Sequence, residues 1–436
     1  MDLTIKGNIY HRDIYNLKEK ANENRWLKVD DNISDPLMIV EPLDSDDMVQ
    51  IVKYINNNNK KFTMVCGGHD LGSAIKDGIL VDMKLMNQVQ VDTENQTVRA
   101  GPGCHLGDVD RETSKYDLYA PLGHIPEVGL SGYTLGGGIG HMSKKYSLAV
   151  DNLLEVDIVT ADGNLVKASK TENPYLFWAV CGYGFAFGAV CSFLFKVHKI
   201  TQVLMGQAIL PLDAVNSSGK EILMEISNGH KKDMVNKDND ITYSININPR
   251  ALVVKLIYFG EDYENGRKRI EEFMKLCQID KYDCSAVPYH TIQSMYEKRI
   301  PEGHYYQLGP FIKQLDDNVI GIIQNAWSNR PYLDTGVIIL TEVGGMVSSI
   351  PTNETSYPFR DSPFHVFLST RINEPSQEQK IREWTDKYHQ LLLDHSFGDY
   401  INTTHSKDLK SLYPQNYEKI IALKLKYDPN NLFSKI

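Results

Sequence analysis

The chain predicts a mixed α+β fold in two parts, on three observations. A strand–helix–strand run ends on the turn Val65-Cys66-Gly67-Gly68-His69-Asp70. Glycine is dense from Gly67 to Gly188 and thins out afterwards. From about residue 204, strand-like pieces alternate with longer amphipathic helices. Together these describe a glycine-rich ligand domain, a middle α+β domain and a terminal segment.

In chain order, Met38-Ile39-Val40 reads as a short strand closed by Pro42. Ser45, Asp46 and Asp47 then start a helix, with carboxylates at the positive end of its dipole. Met48, Ile51, Val52 and Ile55 follow at helical spacing, and the run Asn56 to Asn59 stops it. Phe62-Thr63-Met64-Val65 is the strand that delivers the Gly-Gly-His turn. Ile79 to Met83 is strand-like, and Val89-Gln90-Val91 pairs with Thr97-Val98-Arg99 as a hairpin. A second hairpin turns at Asp162-Gly163, between Val156–Val159 and Leu165-Val166. Further on, Ile241–Ile245 and Val253–Leu256 read as strands, and residues 377–394 and 416–426 as helices.

A chain of 436 residues exceeds one compact core. With 46 basic against 56 acidic side chains and no dense Lys/Arg block, nucleic acid or an anionic membrane is disfavoured as the main partner. No apolar run approaches the ~20 residues that span a bilayer, and no secretory signal opens the sequence. The six cysteines lack paired or metal-like spacing. A cytoplasmic enzyme with free thiols is the expectation, taking a small-molecule substrate.

The chemistry lies in the glycines. Two residues without Cβ before His69 let the backbone approach a ligand closely, although a lone Gly-Gly-His is more often an ordinary turn. The second cluster, Gly129-Leu130-Ser131-Gly132-Tyr133-Thr134-Leu135-Gly136-Gly137-Gly138-Ile139-Gly140, offers backbone N–H groups to a diphosphate or a planar ring. A third runs from Gly182 to Gly188. None matches G-x-G-x-x-G or the G-x-x-x-x-G-K-[ST] loop, and neither zinc spacing nor a G-x-S-x-G elbow occurs.

The order of several segments then carries a resemblance. Gly67-Gly68-His69, Leu106-Gly107-Asp108-Val109-Asp110-Arg111-Glu112-Thr113, the cluster ending at Gly140, and Lys145-Tyr146-Ser147-Leu148-Ala149-Val150-Asp151-Asn152 come first. Asn173-Pro174-Tyr175-Leu176-Phe177-Trp178-Ala179 and Lys426-Tyr427-Asp428-Pro429-Asn430-Asn431-Leu432-Phe433 follow. The chain resembles the berberine-bridge-enzyme-like branch of the vanillyl-alcohol oxidase/p-cresol methylhydroxylase (PCMH-type) flavoproteins, in the style of bacterial 6-hydroxy-D-nicotine oxidase. The resemblance implies a PCMH-type FAD-binding domain over residues 1–203, completed by 400–436, and a substrate domain over 204–399 with an antiparallel sheet flanked by helices.

It also implies a covalent bond from His69 to FAD. Cys66, Gly67, Gly68, Asp70, Leu71, Val128, Gly129, Gly132, Thr134, Gly136, Gly137, Gly138, Gly140 and Asn402 would surround the cofactor. Relatives often add a cysteinyl link; here Ile125 holds that position, so a single link is expected. Val128 stands where a small residue in relatives opens the flavin to molecular oxygen. That implies an oxidase acting on a C–H beside an alcohol or amine of a small organic or sugar-like substrate, with peroxide as co-product. A dehydrogenase with another acceptor, or a flavin-retaining protein without net redox turnover, are the alternatives.

Some motifs depart from the family. Tyr400-Ile401-Asn402-Thr403 lacks the second tyrosine that serves relatives as catalytic base. Gly303-His304-Tyr305-Tyr306-Gln307-Leu308 lacks their lysine. His141 and Tyr306 are the expected proton acceptors, ahead of His124 and Tyr119, with Asn402 beside the flavin.

Overall fold

The computed structural model describes residues 3–433 except 24, 29–33, 212–221, 227–238 and 299. The apolar strands Met38–Glu41, Ile79–Asp82 and Phe62–Val65 pair in parallel, and Asn8–His11 adds antiparallel to the first. The two strands of the expected β-α-β unit are therefore not neighbours, because Ile79–Asp82 lies between them. The linking helix Ser45–Asn57 buries Met48, Ile51, Val52 and Ile55, as the spacing predicts. Its cap is Asp44, whose carboxylate accepts from the Asp47 amide at 3.1 Å.

A five-stranded antiparallel sheet follows, in the order Val89–Asp92, Thr97–Ala100, Ala189–Lys196, Leu153–Val159, Leu165–Ser169. Both predicted hairpins are here, and Gly163 turns the second at φ +76°, a left-handed conformation that favours glycine. The helix Pro174–Tyr183 is apolar nearly all round and buried from Leu176 onward.

The third sheet is antiparallel throughout. Its strands run Asp283–Pro288, Gln202–Leu210, Ala251–Tyr258, Ile241–Asn248, Val337–Glu342, Phe364–Ile372, Pro310–Ile312 and Ser396–Asp399, with His304–Leu308 also pairing to Phe364–Ile372. Helices Tyr263–Leu276, Asp317–Ser328 and Glu378–Leu393 cover one face. There Ile270, Phe273, Ile320, Ile323, Trp327 and Trp384 pack on Val254, Leu256, Ile338, Leu340 and Val366. The opposite face carries the alternate residues of the same strands. This mixed α+β architecture, with its helix-flanked antiparallel sheet, is the fold class expected from the sequence.

The chain then returns to the first sheet. Helix Tyr417–Tyr427 lies on Pro174–Tyr183. The Asp428 carboxylate accepts the amides of Leu432 and Phe433, each at 2.7 Å, and the Lys424 ammonium at 2.6 Å. This knot drives Phe433 edge-on to Phe62, 5.4 Å between ring centres.

Candidate functional site

A cavity of about 560 Å³ opens between the Gly-Gly-His turn, the second glycine cluster and the free face of the large sheet. Close backbone contact builds its first wall. A Cβ on Gly67 would lie 2.5 Å from the Gly129 nitrogen, and one on Gly129 would lie 2.4 Å from the Gly67 nitrogen, so two glycines face each other. Gly68 takes φ +64° against buried Arg25. The Arg25 guanidinium clamps the turn by donating to the carbonyls of Asp70 (2.7 Å) and Ser73 (3.1 Å).

His69 projects from this turn into the cavity wall. Its ring lies on Trp26, centroids 4.5 Å apart and planes 7° from parallel, and Trp26 stacks in turn on Tyr305 at 4.6 Å. Nε2 sits 3.0 Å from the Glu127 carbonyl oxygen. A carbonyl only accepts, so the proton belongs on Nε2 and Nδ1 keeps its lone pair. Burial pushes the imidazole down to about 3, leaving it neutral.

The second glycine cluster divides in two. Gly129, Gly132 and Gly140 line the cavity with Val128, Ile125 and Cys66, and a Cβ on Gly132 would meet nothing within 4 Å. Thr134, Gly136, Gly137 and Gly138, also expected around a cofactor, turn inward instead and do not line this cavity. A Cβ on Gly136 would fall 2.0 Å from Asn402 Oδ1, while Gly137 and Gly138 pack on Tyr357, Ala149 and Tyr133. Their amides are already paired, Gly137 donating to the Thr134 carbonyl and Gly138 to the Tyr400 hydroxyl, both at 2.9 Å. Even Gly140, at the rim, donates its N–H to Ser143 Oγ at 2.9 Å. Asn402 lines the cavity, but its amide hydrogens go to the Tyr133 carbonyl (3.0 Å) and the Tyr400 hydroxyl (2.9 Å). It thereby ties the glycine cluster in place. Asp70 lines the same wall and caps the following turn at the Gly72 amide, 2.9 Å. Leu71 begins the 3-10 turn Leu71–Ser73 there.

The sheet supplies the opposite wall. Lys255, Ser244, Thr341 and His365 stand directly across from one another on four adjacent strands and all line the cavity. At strand spacing the row spans about 14 Å. His365 Nε2 is 3.2 Å from the Gly309 carbonyl, to which Thr403 also donates at 3.2 Å. Burial lowers this imidazole to about 4, and the carbonyl again leaves Nδ1 as the lone-pair nitrogen. His141 and His124 stack at 4.7 Å nearby. Burial lowers both, His124 to about 3, and His124 Nδ1 and His141 Nε2 are buried without a hydrogen-bond partner among the described residues.

Tyr306 does not belong to this site. Strand parity sends Gln307 into the cavity and Tyr306 to the other face. There its hydroxyl donates to Asp386 at 2.8 Å and its ring packs against His405 and the Arg382 guanidinium. Tyr119 is in the core, edge-on to Tyr289 at 4.8 Å. Sequence reasoning missed Lys255, Ser244, Thr341, His365 and Gln307. The visible signal was Thr242, Ser244 and Asn246 alternating with apolar residues, and a lone lysine within Val253–Ile257.

Among the described residues no cluster could hold a metal ion, and no helix is long and apolar enough to cross a membrane. A family model described as an FAD binding domain matches residues 36–169. An FAD-linked oxidoreductase of Dictyostelium discoideum is 33% identical over 434 residues, which is 99% of this chain and 94% of that protein. Among solved structures, xylooligosaccharide oxidase from Myceliophthora thermophila C1, in complex with xylobiose, superposes at TM-score 0.86 and 22% identity, covering 98% of this chain and 96% of the other. 6-Hydroxy-D-nicotine oxidase from Arthrobacter nicotinovorans superposes at 0.80 and 23% identity, covering 100% and 98%.

Proposed function

The chain belongs to the FAD-linked oxidoreductases, and from that premise we propose that it is a berberine-bridge-enzyme-like oxidase carrying FAD on a single covalent bond to His69. One observation carries this reading: His69 Nε2 is tied to the Glu127 carbonyl at 3.0 Å, so the nucleophilic Nδ1 is the nitrogen left for a bond. The stack on Trp26 fixes the ring plane. Residues 1–203 with 400–436 would hold the flavin, and 204–399 the substrate. The glycine cradle fits a flat ligand, because Gly132 faces open space and a Cβ there would intrude on it. With Ile125 at the second attachment position, no cysteinyl bond forms.

Bound FAD supplies the two-electron acceptor, so that a secondary alcohol and molecular oxygen give a ketone and hydrogen peroxide, both hydrogens of the carbinol passing to oxygen. The protein's own part is to place the substrate on the polar sheet face and to take the hydroxyl proton. Thr403 replaces the tyrosine base of relatives, and His365 shares the Gly309 carbonyl with it. His365 Nδ1 is the proposed proton acceptor, and burial keeps the imidazole neutral at physiological pH. Gln307, held by Ser369 in a hydrogen bond of 3.0 Å, and Thr341 orient the hydroxyls.

The test is direct. Denatured wild type should keep the yellow colour on the polypeptide, and His69→Ala should release it. Colour that washes off the wild type, or stays on the variant, rules out the link. Peroxide formed in air on mixing with a substrate that bleaches the flavin anaerobically tests the oxidase reading.

A further inference from the structure

Lys255 is the one lysine or arginine among the described residues that line the cavity. It is only 4% exposed, and it has no ion-pair partner among the described residues. Its ammonium touches Met295 Sδ at 3.5 Å and the Tyr296 hydroxyl at 3.4 Å, and lies 5.1 Å from the centre of the Tyr296 ring. Among the described residues the only carboxylate lining the cavity is Asp70, on the opposite wall, whose oxygen is engaged by the Gly72 amide. The sheet face is otherwise neutral, a floor of Thr242, Ser244, Asn246, Gln307 and Thr341.

Taking an ammonium out of water without a counter-charge is unfavourable. Burial accordingly lowers Lys255 to about 8, with no acidic neighbour among the described residues to restore it. A cavity that keeps such a lysine is completed by a ligand that brings the negative charge. A cationic amine would meet a like charge and no carboxylate on the sheet face. A neutral sugar would leave the ammonium unpaired.

We propose that the substrate is an organic acid, whose carboxylate sits on Lys255 while the carbon to be oxidised lies along the same row of side chains, toward His365. The proposal rests on the oxidase reading above and narrows its substrate class. Ser244 stands directly beside Lys255 and Thr341 beside His365, so the hydroxyls of an extended acid find partners between the two ends. The length of the row separates the acid group from the oxidised carbon by several bonds, which favours a sugar acid or a long hydroxy acid over a 2-hydroxy acid.

The experiment titrates the flavin-loaded enzyme with galacturonate, digalacturonate, hexanoate and benzoate, each paired with its amide or methyl ester, and reads the visible flavin spectrum. At least one acid should bind tenfold or more tightly than its neutral partner. Lys255→Met, which keeps the bulk, should abolish that preference, and Lys255→Arg should retain it. Equal binding of acid and neutral partner by the wild type, or an undiminished preference in Lys255→Met, overturns the proposal. Acid binding unchanged in Lys255→Met with slowed flavin reduction would make Lys255 a proton acceptor, which also overturns it. Anaerobic bleaching separates the two readings. If acids bind through Lys255 and no hydroxy acid or alcohol bleaches the flavin, the oxidase reading falls and the acid seat stands. If neutral alcohols or amines bleach it as well as acids do, the seat falls and the oxidase stands.

Discussion

His69 lies flat on Trp26, 4.5 Å centroid to centroid and 7° from parallel, and its proton is fixed by the Glu127 carbonyl. Ring plane and tautomer are thus set by different neighbours. Trp26→Ala removes the first and leaves the second. It should lower the fraction of covalently attached flavin several-fold while FAD still binds, read as protein-bound against released colour after denaturation. Full attachment in this variant would show that the stack has no part in the linkage.

Tyr306 and His365 make opposite predictions. Tyr306→Phe removes a hydrogen bond to Asp386 outside the cavity. It should cost about 1 kcal/mol of stability and change the rate of flavin reduction less than threefold. His365→Ala removes the proposed proton acceptor and should slow reduction by about 10²–10⁴-fold. Stopped-flow bleaching under anaerobic conditions measures both.

Gly132 and Gly136 test the two halves of the glycine cluster. A Cβ at Gly132 meets no neighbouring atom within 4 Å, so Gly132→Ala should fold normally and incorporate less FAD. A Cβ at Gly136 would overlap Asn402, so Gly136→Ala should lower the melting temperature or prevent folding. Thermal melts, with the flavin content per polypeptide read from the visible absorbance, distinguish these outcomes.

Asp110 predicts an unusual dependence of stability on pH. Its carboxyl, buried against Gln293 Nε2 at 3.1 Å, is pushed up to about 7 by desolvation. Below about pH 4 it is protonated in both folded and unfolded chains and has no effect. Between about 4 and 7 the unfolded chain has released this proton and the folded one retains it, so the contribution of Asp110 to stability declines as pH rises, then levels off. Asp110→Asn should match the wild type near pH 4 and exceed it at pH 8, by on the order of 2–4 kcal/mol. Melting curves across this range check the sign.

The sequence made the Gly-Gly-His turn and both hairpins legible, because turn residues and periodicity are local signals, whereas the flanked antiparallel sheet followed only from the family resemblance. The fate of each glycine was not local. Gly132 and Gly136 look alike in sequence, and only the arrival of Asn402 from far along the chain turns one toward protein and leaves the other open. Tyr306 failed as a site residue on parity alone, since the register of His304–Leu308 against Phe364–Ile372 decides which alternate residue faces the cavity. Lys255 was visible as a charge in an apolar strand, but its lack of a carboxylate partner among the described residues depends on every element around it.

The contact of Phe433 with Phe62 joins positions at nearly opposite ends of the described chain. Phe433, presented by the Asp428 knot, completes the core that also holds Val40, Ile51 and Val81. Phe433 and Phe62 both line the cavity, so a chain cut before Asp428 would lose one side of its wall.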